Sequence, residues 1–170
     1  MNCDVLVFLD GDGSDCPELI PQLIEPLLAD RYDFVIGSRT RGIGESGSMS
    51  LHQIFAGYLI GVAIRVLYGM RYSDMCPFRA IRRDALLRLG MREMTYGWNL
   101  EMQMRAARAG LRILELPVAH RRRLGGVSKV SGNLRGTIKA GWRIAATFVR
   151  ITLEGKRSPE TAARGPGSVE

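Results

Sequence analysis

Apolar residues in this chain fall into short blocks separated by polar turns, a pattern that predicts strands alternating with helices. Five consecutive apolar residues, Val5 to Leu9, predict a buried strand. Further extended segments are predicted over 33–37, 111–116 and 118–122, the last two divided by Pro117. The alternation predicts an α/β fold with a core sheet.

Helical segments are predicted from their caps and breakers. Pro21 suits a first helical turn, Ser50 with Gln53 forms a capping box, and Gly90 and Gly110 end two helices. The predicted helices cover 21–29, 51–68, 84–89, 98–109 and 133–153. Polar residues shorten the apolar run in 51–68 to about 11 residues, below the roughly 18 that a membrane span needs. We therefore expect that helix to be buried or to lie at an interface.

The helix over 133–153 is predicted to be amphipathic and basic. Its apolar positions recur at three- and four-residue spacing: Leu134, Ile138, Trp142, Ala145 and Val149. Its basic flank is formed by Arg135, Lys139, Arg143 and Arg150. Two interpretations remain open: the apolar face lies on an anionic membrane surface, or it packs on the domain's own sheet.

The chain of 170 residues predicts one domain over 1–153, followed by a tail over 154–170 whose composition is typical of disorder. Because the chain opens almost directly on a core strand, we expect the domain to be truncated at its N-terminus. Cys3, Cys16 and Cys76 lack metal-site spacing and are expected to be reduced, as in the cytoplasm.

The net charge of +7 indicates an anionic partner. Aromatic residues make up only 7% of the chain, and no nucleic-acid-binding motif is found, so we expect phosphates or a membrane surface and no nucleic acid.

Asp10 and Asp12 follow the first predicted strand, at the position where open α/β sheets bind ligands. Two carboxylates there can share a divalent cation that holds a diphosphate, and Gly11 and Gly13 leave room for it. The alternative is a polar turn in which Asp15 caps a helix.

Three metal- or phosphate-dependent sites are compatible with two carboxylates at a strand end. A calcium loop counted from Asp10 would need Gly and an acid where Asp15 and Pro21 stand, so it is excluded. A Mg²⁺-dependent phosphatase of the haloacid dehalogenase type would use Asp10 as nucleophile and Asp12 as acid/base, but its distal acidic loop is not evident. The third is a site for a sugar nucleotide.

Five segments occur in an order that favours the third site: FLDGDGSD (8–15), FVIGSR (34–39), CPFRAIRR (76–83), YGWNLEMQ (96–103) and RRRLGGVSK (121–129). Together they resemble family 2 glycosyltransferases, most closely the dolichyl- and polyprenyl-phosphate sugar transferases. The resemblance covers about residues 3–150 and implies a GT-A fold, a Rossmann-like α/β core. Members of that family begin with a further strand and a nucleotide-binding Asp, which this chain does not show.

The resemblance also implies roles for individual residues. Asp10 and Asp12 match the motif that binds Mg²⁺ or Mn²⁺ and the diphosphate of a nucleotide sugar. Arg39 matches an arginine that faces the acceptor phosphate. The segment from Asp74 to Arg79 matches an acceptor-side motif in which Cys76-Pro77 here replaces Ser-Gly; Asp74 is implied to be catalytic and Arg79 to bind substrate.

Further implied roles lie later in the chain. Glu101 matches the acid that serves as general base in inverting members, although Arg105 four residues on also suits an ordinary helix ion pair. Arg123, Ser128 and Lys129 match a basic loop that closes over phosphates. His120 is expected to be structural.

The function expected from the resemblance is metal-dependent, inverting transfer of a sugar from a nucleotide sugar to a lipid phosphate such as polyprenyl phosphate. The protein is expected to be peripheral at the cytoplasmic face of the membrane. Two alternatives are the phosphatase and a non-catalytic, membrane-associated remnant.

Overall fold

The structure is a computed structural model that describes residues 3–42, 51–122 and 134–154, including their side chains except those of 51–53 and 134–137. Its strands are β1 (Val5–Phe8), β2 (Phe34–Ser38), β3 (Arg79–Arg82) and β4 (Ile113–Pro117). Its α-helices are α1 (Ile20–Leu28), α2 (Leu51–Tyr68), α3 (Arg83–Leu89), α4 (Trp98–Arg108) and α5 (Leu134–Leu153), with a 3₁₀ turn at Pro17–Leu19.

The four strands form one mixed sheet in the order β1-β3-β2-β4. β3 runs antiparallel to both neighbours, and β2 runs parallel to β4. Hence β1, β2 and β4 all end at the same edge of the sheet, which we call the carboxyl edge. β3 begins there, with Arg79 paired to Phe8 on one side and Ile36 on the other.

Strand β2 is the centre of the core. All five of its residues are buried. It is hydrogen-bonded on both sides, and α1 packs against it with Leu23 and Leu27 buried. A strand covered on both faces requires an uninterrupted apolar run, which explains Phe34-Val35-Ile36.

Helix α2 packs inward through Gly57, Gly61 and Ile64 and leaves a large apolar face outside. A Cβ on Gly61 would lie 2.2 Å from the backbone oxygen of Tyr72, so only glycine permits this close approach. The exposed apolar side chains are Ile54, Phe55, Tyr58, Leu59, Val62, Val66 and Leu67. Among the described residues no helix combines the length and apolar character needed to cross a membrane.

Helix α5 packs against α4 by a face other than the predicted apolar stripe. Its contact face carries the buried Ala140, Thr147 and Ile151. A Cβ on Gly97, just before α4, would lie 2.3 Å from Oγ1 of Thr147, so the two elements meet closely there. Three members of the predicted stripe point outward, with exposed fractions of 76% for Trp142, 63% for Ile138 and 53% for Val149. Packing of that stripe on the domain's own sheet, one of the two interpretations left open by the sequence, is therefore wrong.

Three of the four predicted strands are confirmed, one is wrong, and one strand of the structure was not predicted. β1, β2 and β4 lie within two residues of their predicted bounds. The segment 118–122 is not a strand; only His120 forms an isolated bridge. β3 was not predicted, because Arg79-Ala80-Ile81-Arg82 is short and carries a charge at each end.

The five predicted helices are present, each beginning and ending within one residue of its prediction. Gly90 ends α3 in the left-handed region with φ 58°, where a glycine costs least. The proposed Ser50 cap, residues 43–50 and 123–133, and the tail beyond 154 lie outside the described residues.

Candidate functional site

Asp10 and Asp12 lie in the turn after β1, at the carboxyl edge. Asp10 is exposed and Asp12 is half-buried. Oδ1 of Asp12 accepts hydrogen bonds from the backbone N of Ser14 (3.0 Å) and from its Oγ (2.5 Å), so this side chain shapes the turn. Gly13 has φ 78°, a conformation that favours glycine. The structure thus places both carboxylates at a strand end, and their binding of a metal stays a prediction.

The donor set of this turn suits a cation that also takes ligands from its substrate. Within residues 3–42, 51–122 and 134–154, no three His, Cys, Asp or Glu side chains are grouped to hold an ion alone. Mg²⁺ characteristically binds one or two carboxylates and completes its shell with water and substrate phosphates, and Mn²⁺ also favours oxygen ligands. Asp10 and Asp12 fit that chemistry.

Arg39 and Asp74 form a second site at the carboxyl edge. Arg39 follows β2, and its Nε and Nη2 donate to the two oxygens of Asp74 at 2.7 and 2.8 Å. The backbone N of Arg39 donates to the same carboxylate at 3.0 Å. The Asp74 side chain is 4% exposed and the Arg39 side chain 18%. Asp74 therefore positions Arg39, and a direct catalytic role for Asp74 stays a prediction.

The pair is fully ionised at neutral pH. Burial acts to raise the pKa of Asp74, but the hydrogen bonds and charge of Arg39 outweigh it, and the pKa lies below its usual value. Burial acts to lower the pKa of Arg39, but Asp74 more than offsets this, and the pKa lies above its usual value. The bonds to Asp74 use Nε and Nη2, and Nη1 of Arg39 has no acceptor among the described residues. A partly exposed guanidinium with donors to spare can bind an oxyanion.

Hydrogen bonds of Ser73 hold the Asp74 loop against the end of β2 and against β4. Oγ of Ser38 lies 2.6 Å from Oγ of Ser73, and Ser73 N donates to Oε1 of Glu115 at 2.9 Å. These contacts fix the loop that carries Asp74. They were not predicted from the sequence, because the residues are far apart in the chain and form no motif.

Arg79 lies inside the core. It is fully buried, with Nε donating to Cys76 O at 3.0 Å and Nη1 to Asn99 O at 3.1 Å, and its guanidinium lies 5.9 Å from the ring centres of Phe34 and Trp98. Burial lowers its pKa to about 10. These contacts connect β3 to the start of α4 and do not favour the predicted contact with substrate. They also pack the partly buried Trp98 against the core.

Glu101 is also sealed from solvent. Its Oε2 accepts from the backbone N of Arg92 and Glu93 at 2.9 and 2.6 Å. Its Oε1 accepts from Arg105 and Arg150 at 2.9 and 3.0 Å. Burial would raise its pKa, but these backbone and side-chain hydrogen bonds together lower it. A carboxylate with four donors and a lowered pKa is a weak base, so the contacts do not favour the predicted general-base role.

The segment 118–122, which we call the connecting segment, joins the two sites. Val118 N donates to Ser38 O at 3.1 Å, and Arg121 N donates to Ser14 O at 2.9 Å. Arg121 also forms an ion pair with Glu18. The connecting segment therefore runs from the end of β2 to the turn that holds Asp12. Three predicted phosphate-binding residues lie outside the described residues: Arg123, Ser128 and Lys129.

Asp15 and His120 are brought together beside this site, a pairing that no motif in the sequence indicates. Asp15 does not cap a helix: no side chain caps the 3₁₀ turn at Pro17–Leu19, and Oδ2 of Asp15 instead accepts from Asp10 N at 2.8 Å. The feature of the sequence that could have indicated this bond is the short spacing of five residues between Asp10 and Asp15.

Comparison with known proteins gives the family. The sequence model of glycosyl transferase family 2 matches residues 1–90. An uncharacterized glycosyltransferase of Mycobacterium tuberculosis is 34% identical over 142 residues, covering 80% of this chain and 61% of the relative. The undecaprenyl-phosphate mannosyltransferase of Micrococcus luteus is 33% identical over 152 residues, covering 85% and 62%. The chain thus spans about three fifths of the length of these curated relatives.

Solved structures show the same fold. Glucosyl-3-phosphoglycerate synthase from Mycobacterium tuberculosis, in complex with Mn²⁺, UDP-glucose and phosphoglyceric acid, aligns with a TM-score of 0.65 at 18% identity. The alignment covers 89% of this chain and 51% of that one. At this identity the likeness shows the fold alone, the GT-A fold.

Proposed function

The chain belongs to glycosyl transferase family 2, and on that premise we propose that it carries the metal and acceptor sites of an enzyme that transfers a sugar from a nucleotide sugar to a polyprenyl phosphate. The observation that supports this most directly is the meeting of two sites at one carboxyl edge. The Asp10–Asp12 turn suits a cation with a diphosphate, and Arg39 suits an oxyanion. A transfer between two phosphorylated molecules needs both.

The donor's diphosphate is the leaving group. A divalent cation, Mg²⁺ or Mn²⁺, would neutralise the charge that develops on that diphosphate when its bond to the sugar breaks. Asp10 and Asp12 would bind the cation, and the turn set by Ser14 and Gly13 fixes where their carboxylates lie. The structural relative was solved in complex with Mn²⁺, which supports this assignment and does not distinguish Mn²⁺ from Mg²⁺.

The acceptor is proposed to be a phosphate bound at Arg39. A phosphate oxygen is already ionised at neutral pH, so it can attack the anomeric carbon without a general base. This agrees with the sealed position of Glu101. Attack from the side opposite the diphosphate forms the new carbon–oxygen bond as the old one breaks and inverts the anomeric configuration. The name of the mannosyltransferase relative supports a polyprenyl phosphate acceptor.

We also propose that α5 holds the protein at the cytoplasmic face of the membrane, where a lipid phosphate would be reached. Its outward stripe includes Ile138, Trp142 and Val149, and Lys139 is exposed beside them. An apolar stripe with a basic flank suits an anionic lipid surface, with each basic residue contributing about 1 kcal/mol.

A titration tests the metal site. Mn²⁺ is titrated into the 170-residue chain with and without UDP or GDP, and binding is followed by the electron paramagnetic resonance of free Mn²⁺. We expect a nucleoside diphosphate to tighten Mn²⁺ binding and Asp12→Asn to weaken it. Equal binding by wild type and Asp12→Asn would refute the proposed function.

The alternatives make different predictions in the same protein. A phosphatase would hydrolyse simple phosphate esters and lose this activity in Asp10→Asn; the family match does not favour it, and we expect no such hydrolysis. A non-catalytic remnant would bind vesicles and show no response to Mn²⁺ with a nucleoside diphosphate.

Membrane attachment is tested by co-sedimentation with phosphatidylglycerol and with phosphatidylcholine vesicles across salt concentrations. We expect a preference for the anionic vesicles that weakens with salt, and a loss of binding in Trp142→Gln and Lys139→Glu. Arg88→Glu, an equal charge change on the exposed surface of α3, is the matched control. Equal losses in Arg88→Glu and Lys139→Glu would show only a net-charge effect and refute the role of α5.

A further inference from the structure

Asp15 is a buried carboxylate that has no part in the function proposed so far. Its residue exposure is 3%, and its Oδ2 accepts the backbone N–H of Asp10 at 2.8 Å. This bond closes the turn that carries Asp10 and Asp12, because it joins the first residue of the turn to the residue that follows it. Ser14, inside the same turn, is bonded to Asp12.

The other oxygen of Asp15 faces the connecting segment. Oδ1 lies 3.7 Å from Nδ1 of His120, a residue that is 6% exposed. That Nδ1 has no hydrogen-bond partner among the described residues. The next residue, Arg121, is bonded through its backbone N to Ser14 O. Asp15 is thus enclosed between the turn and the connecting segment.

Asp15 also lies near the second site. Its negative charge is among the minor influences that raise the pKa of Arg39, after the dominant opposing effect of burial and the larger effect of Asp74. A buried carboxylate is costly unless it is hydrogen-bonded or near positive charge, and here it has both. An Asn in its place would keep an acceptor for Asp10 N but would remove the charge.

The bond from Asp15 bears directly on the Asp10 carboxylate. If Asp15 were removed, the N–H of Asp10 would lose its acceptor and the backbone of the turn would gain freedom. The two carboxylates would then have to be ordered when the cation binds, which costs affinity. Outer groups that hold metal ligands typically contribute about 10- to 100-fold in affinity.

We propose that Asp15 is a positioning residue for the metal turn: by holding the backbone of Asp10 it preorganises the Asp10 and Asp12 carboxylates for a divalent cation. The inference rests on the proposed function, because it assumes that this turn binds the metal. The closing bond to Asp10 N, and not direct coordination, is the basis of its action.

The test measures Mn²⁺ affinity of the metal-free 170-residue chain in Asp15→Ala and Asp15→Asn, well below their unfolding temperatures. We expect Asp15→Ala to weaken Mn²⁺ binding about tenfold. Asp15→Asn, which keeps the acceptor, should recover most of that loss. Hydrogen exchange at the Asp10 amide, measured without metal, should accelerate in Asp15→Ala and stay near wild type in Asp15→Asn.

A matched control is Asp33→Ala, since Asp33 also accepts a backbone N–H, that of Arg112 at 2.9 Å, but lies at the opposite edge of the sheet. It should lower stability without changing Mn²⁺ affinity. Unchanged Mn²⁺ affinity in folded Asp15→Ala would overturn the inference, as would equal losses in Asp15→Ala and Asp15→Asn.

The results for Asp12→Asn and Asp15→Ala distinguish an error in the positioning role from an error in the proposed function. If Asp12→Asn weakens Mn²⁺ binding and Asp15→Ala does not, only the positioning role fails. If Asp12→Asn has no effect, the proposed metal site fails itself. If Asp15→Ala does not fold, the exchange rate of the Asp10 amide in Asp15→Asn is decisive. A rate close to that of the wild type would support the inference, and a rate as fast as that of an amide without a hydrogen bond would overturn it.

Discussion

Glu101 and Asp74 are both buried carboxylates paired with arginines, and they lie in different surroundings. Glu101 is enclosed between α4, α5 and the loop before α4, where four N–H groups reach its two oxygens. Asp74 lies at the carboxyl edge, where it holds one arginine whose side chain is 18% exposed. The same chemical pair thus occurs once as an internal anchor and once at an open surface.

The difference shows that burial decides whether an acid–arginine pair stabilises the fold or can bind a ligand. Arg150 is 35% exposed, but its Nη1 and Nη2 donate to Glu154 and Glu101, so two carboxylates neutralise it and the Glu101 charge stabilises the docking of α5. At the carboxyl edge Asp74 is sealed but Arg39 is not, so the pair fixes a guanidinium in place and leaves part of it accessible. An acid–arginine pair is a candidate binding site where the arginine reaches solvent and only one carboxylate neutralises it, as at Arg39 and not at Arg150.

The largest expected effect is the loss of stability in Glu101→Ala. The change leaves two part-buried backbone N–H groups and Nε of Arg105, whose side chain is 10% exposed, without their acceptor, and Arg105 then keeps only its pair with Glu154. Breaking a buried ion pair in this way costs about 3 to 5 kcal/mol. Urea unfolding followed by circular dichroism measures it, and Mn²⁺ affinity of the folded fraction should not change.

The control for this change is Glu25→Ala, which breaks an exposed pair with Arg31 and should cost about 0 to 1 kcal/mol. If Glu101→Ala were as stable as Glu25→Ala and yet lost sugar transfer, the anchor interpretation would be wrong and the general-base prediction would regain support.

A smaller effect is expected at the open pair. Arg39→Ala should weaken binding of a short-chain polyprenyl phosphate about tenfold, since a charge-assisted hydrogen bond contributes roughly 1.5 kcal/mol or more. Isothermal titration calorimetry measures this affinity. Arg112→Ala is the control, because its pairs with Asp30 and Asp33 lie at the opposite edge of the sheet. Equal affinity in wild type and Arg39→Ala would contradict the acceptor site.

Much of the fold could be predicted from local pattern. The apolar run of β2 and the glycine after α3 are local signals that the structure confirms. β3 could not be predicted in the same way, because it becomes a strand by pairing with β1 and β2 on both sides. Its buried Arg79 is satisfied by Cys76 O and Asn99 O, contacts that no local pattern shows.

The candidate site was predictable where its residues follow a strand. Asp10, Asp12 and Arg39 each come soon after a predicted strand and lie at the carboxyl edge. Burial was not predictable, and it decides between roles: Glu101 and Arg79 belong to recognisable motifs, yet both are enclosed. The helix cap that the alternative interpretation gave to Asp15 is wrong for a related reason, because a helix cap and a turn-closing bond place the same residue type at the same point of the chain.

The smallest expected effect is a difference between Asp74 and Glu101 in how the free energy of unfolding depends on pH. The usual pKa is 3.8 for Asp and 4.5 for Glu. In the folded protein the pKa of Asp74 and the pKa of Glu101 each lie below that usual value, because hydrogen bonds from their partners outweigh the effect of burial. Their stabilisation is therefore complete above those values and is lost as pH falls through the lower folded pKa. Asp74→Asn resembles the protonated acid, so its deficit in free energy of unfolding should begin to shrink as pH falls towards the usual Asp pKa of 3.8 and should continue to shrink below it.

Urea unfolding of wild type, Asp74→Asn and Glu101→Gln at each pH gives these deficits. For Glu101→Gln the deficit should begin to shrink at the higher pH, since the usual pKa of Glu is the higher of the two. It should also remain larger in acid, because the amide group of Gln has one oxygen where Glu101 offers two to the four surrounding donors. A deficit in Asp74→Asn that grew as pH fell would mean that Arg39 does not hold the Asp74 pKa down, and the open pair would lose its basis.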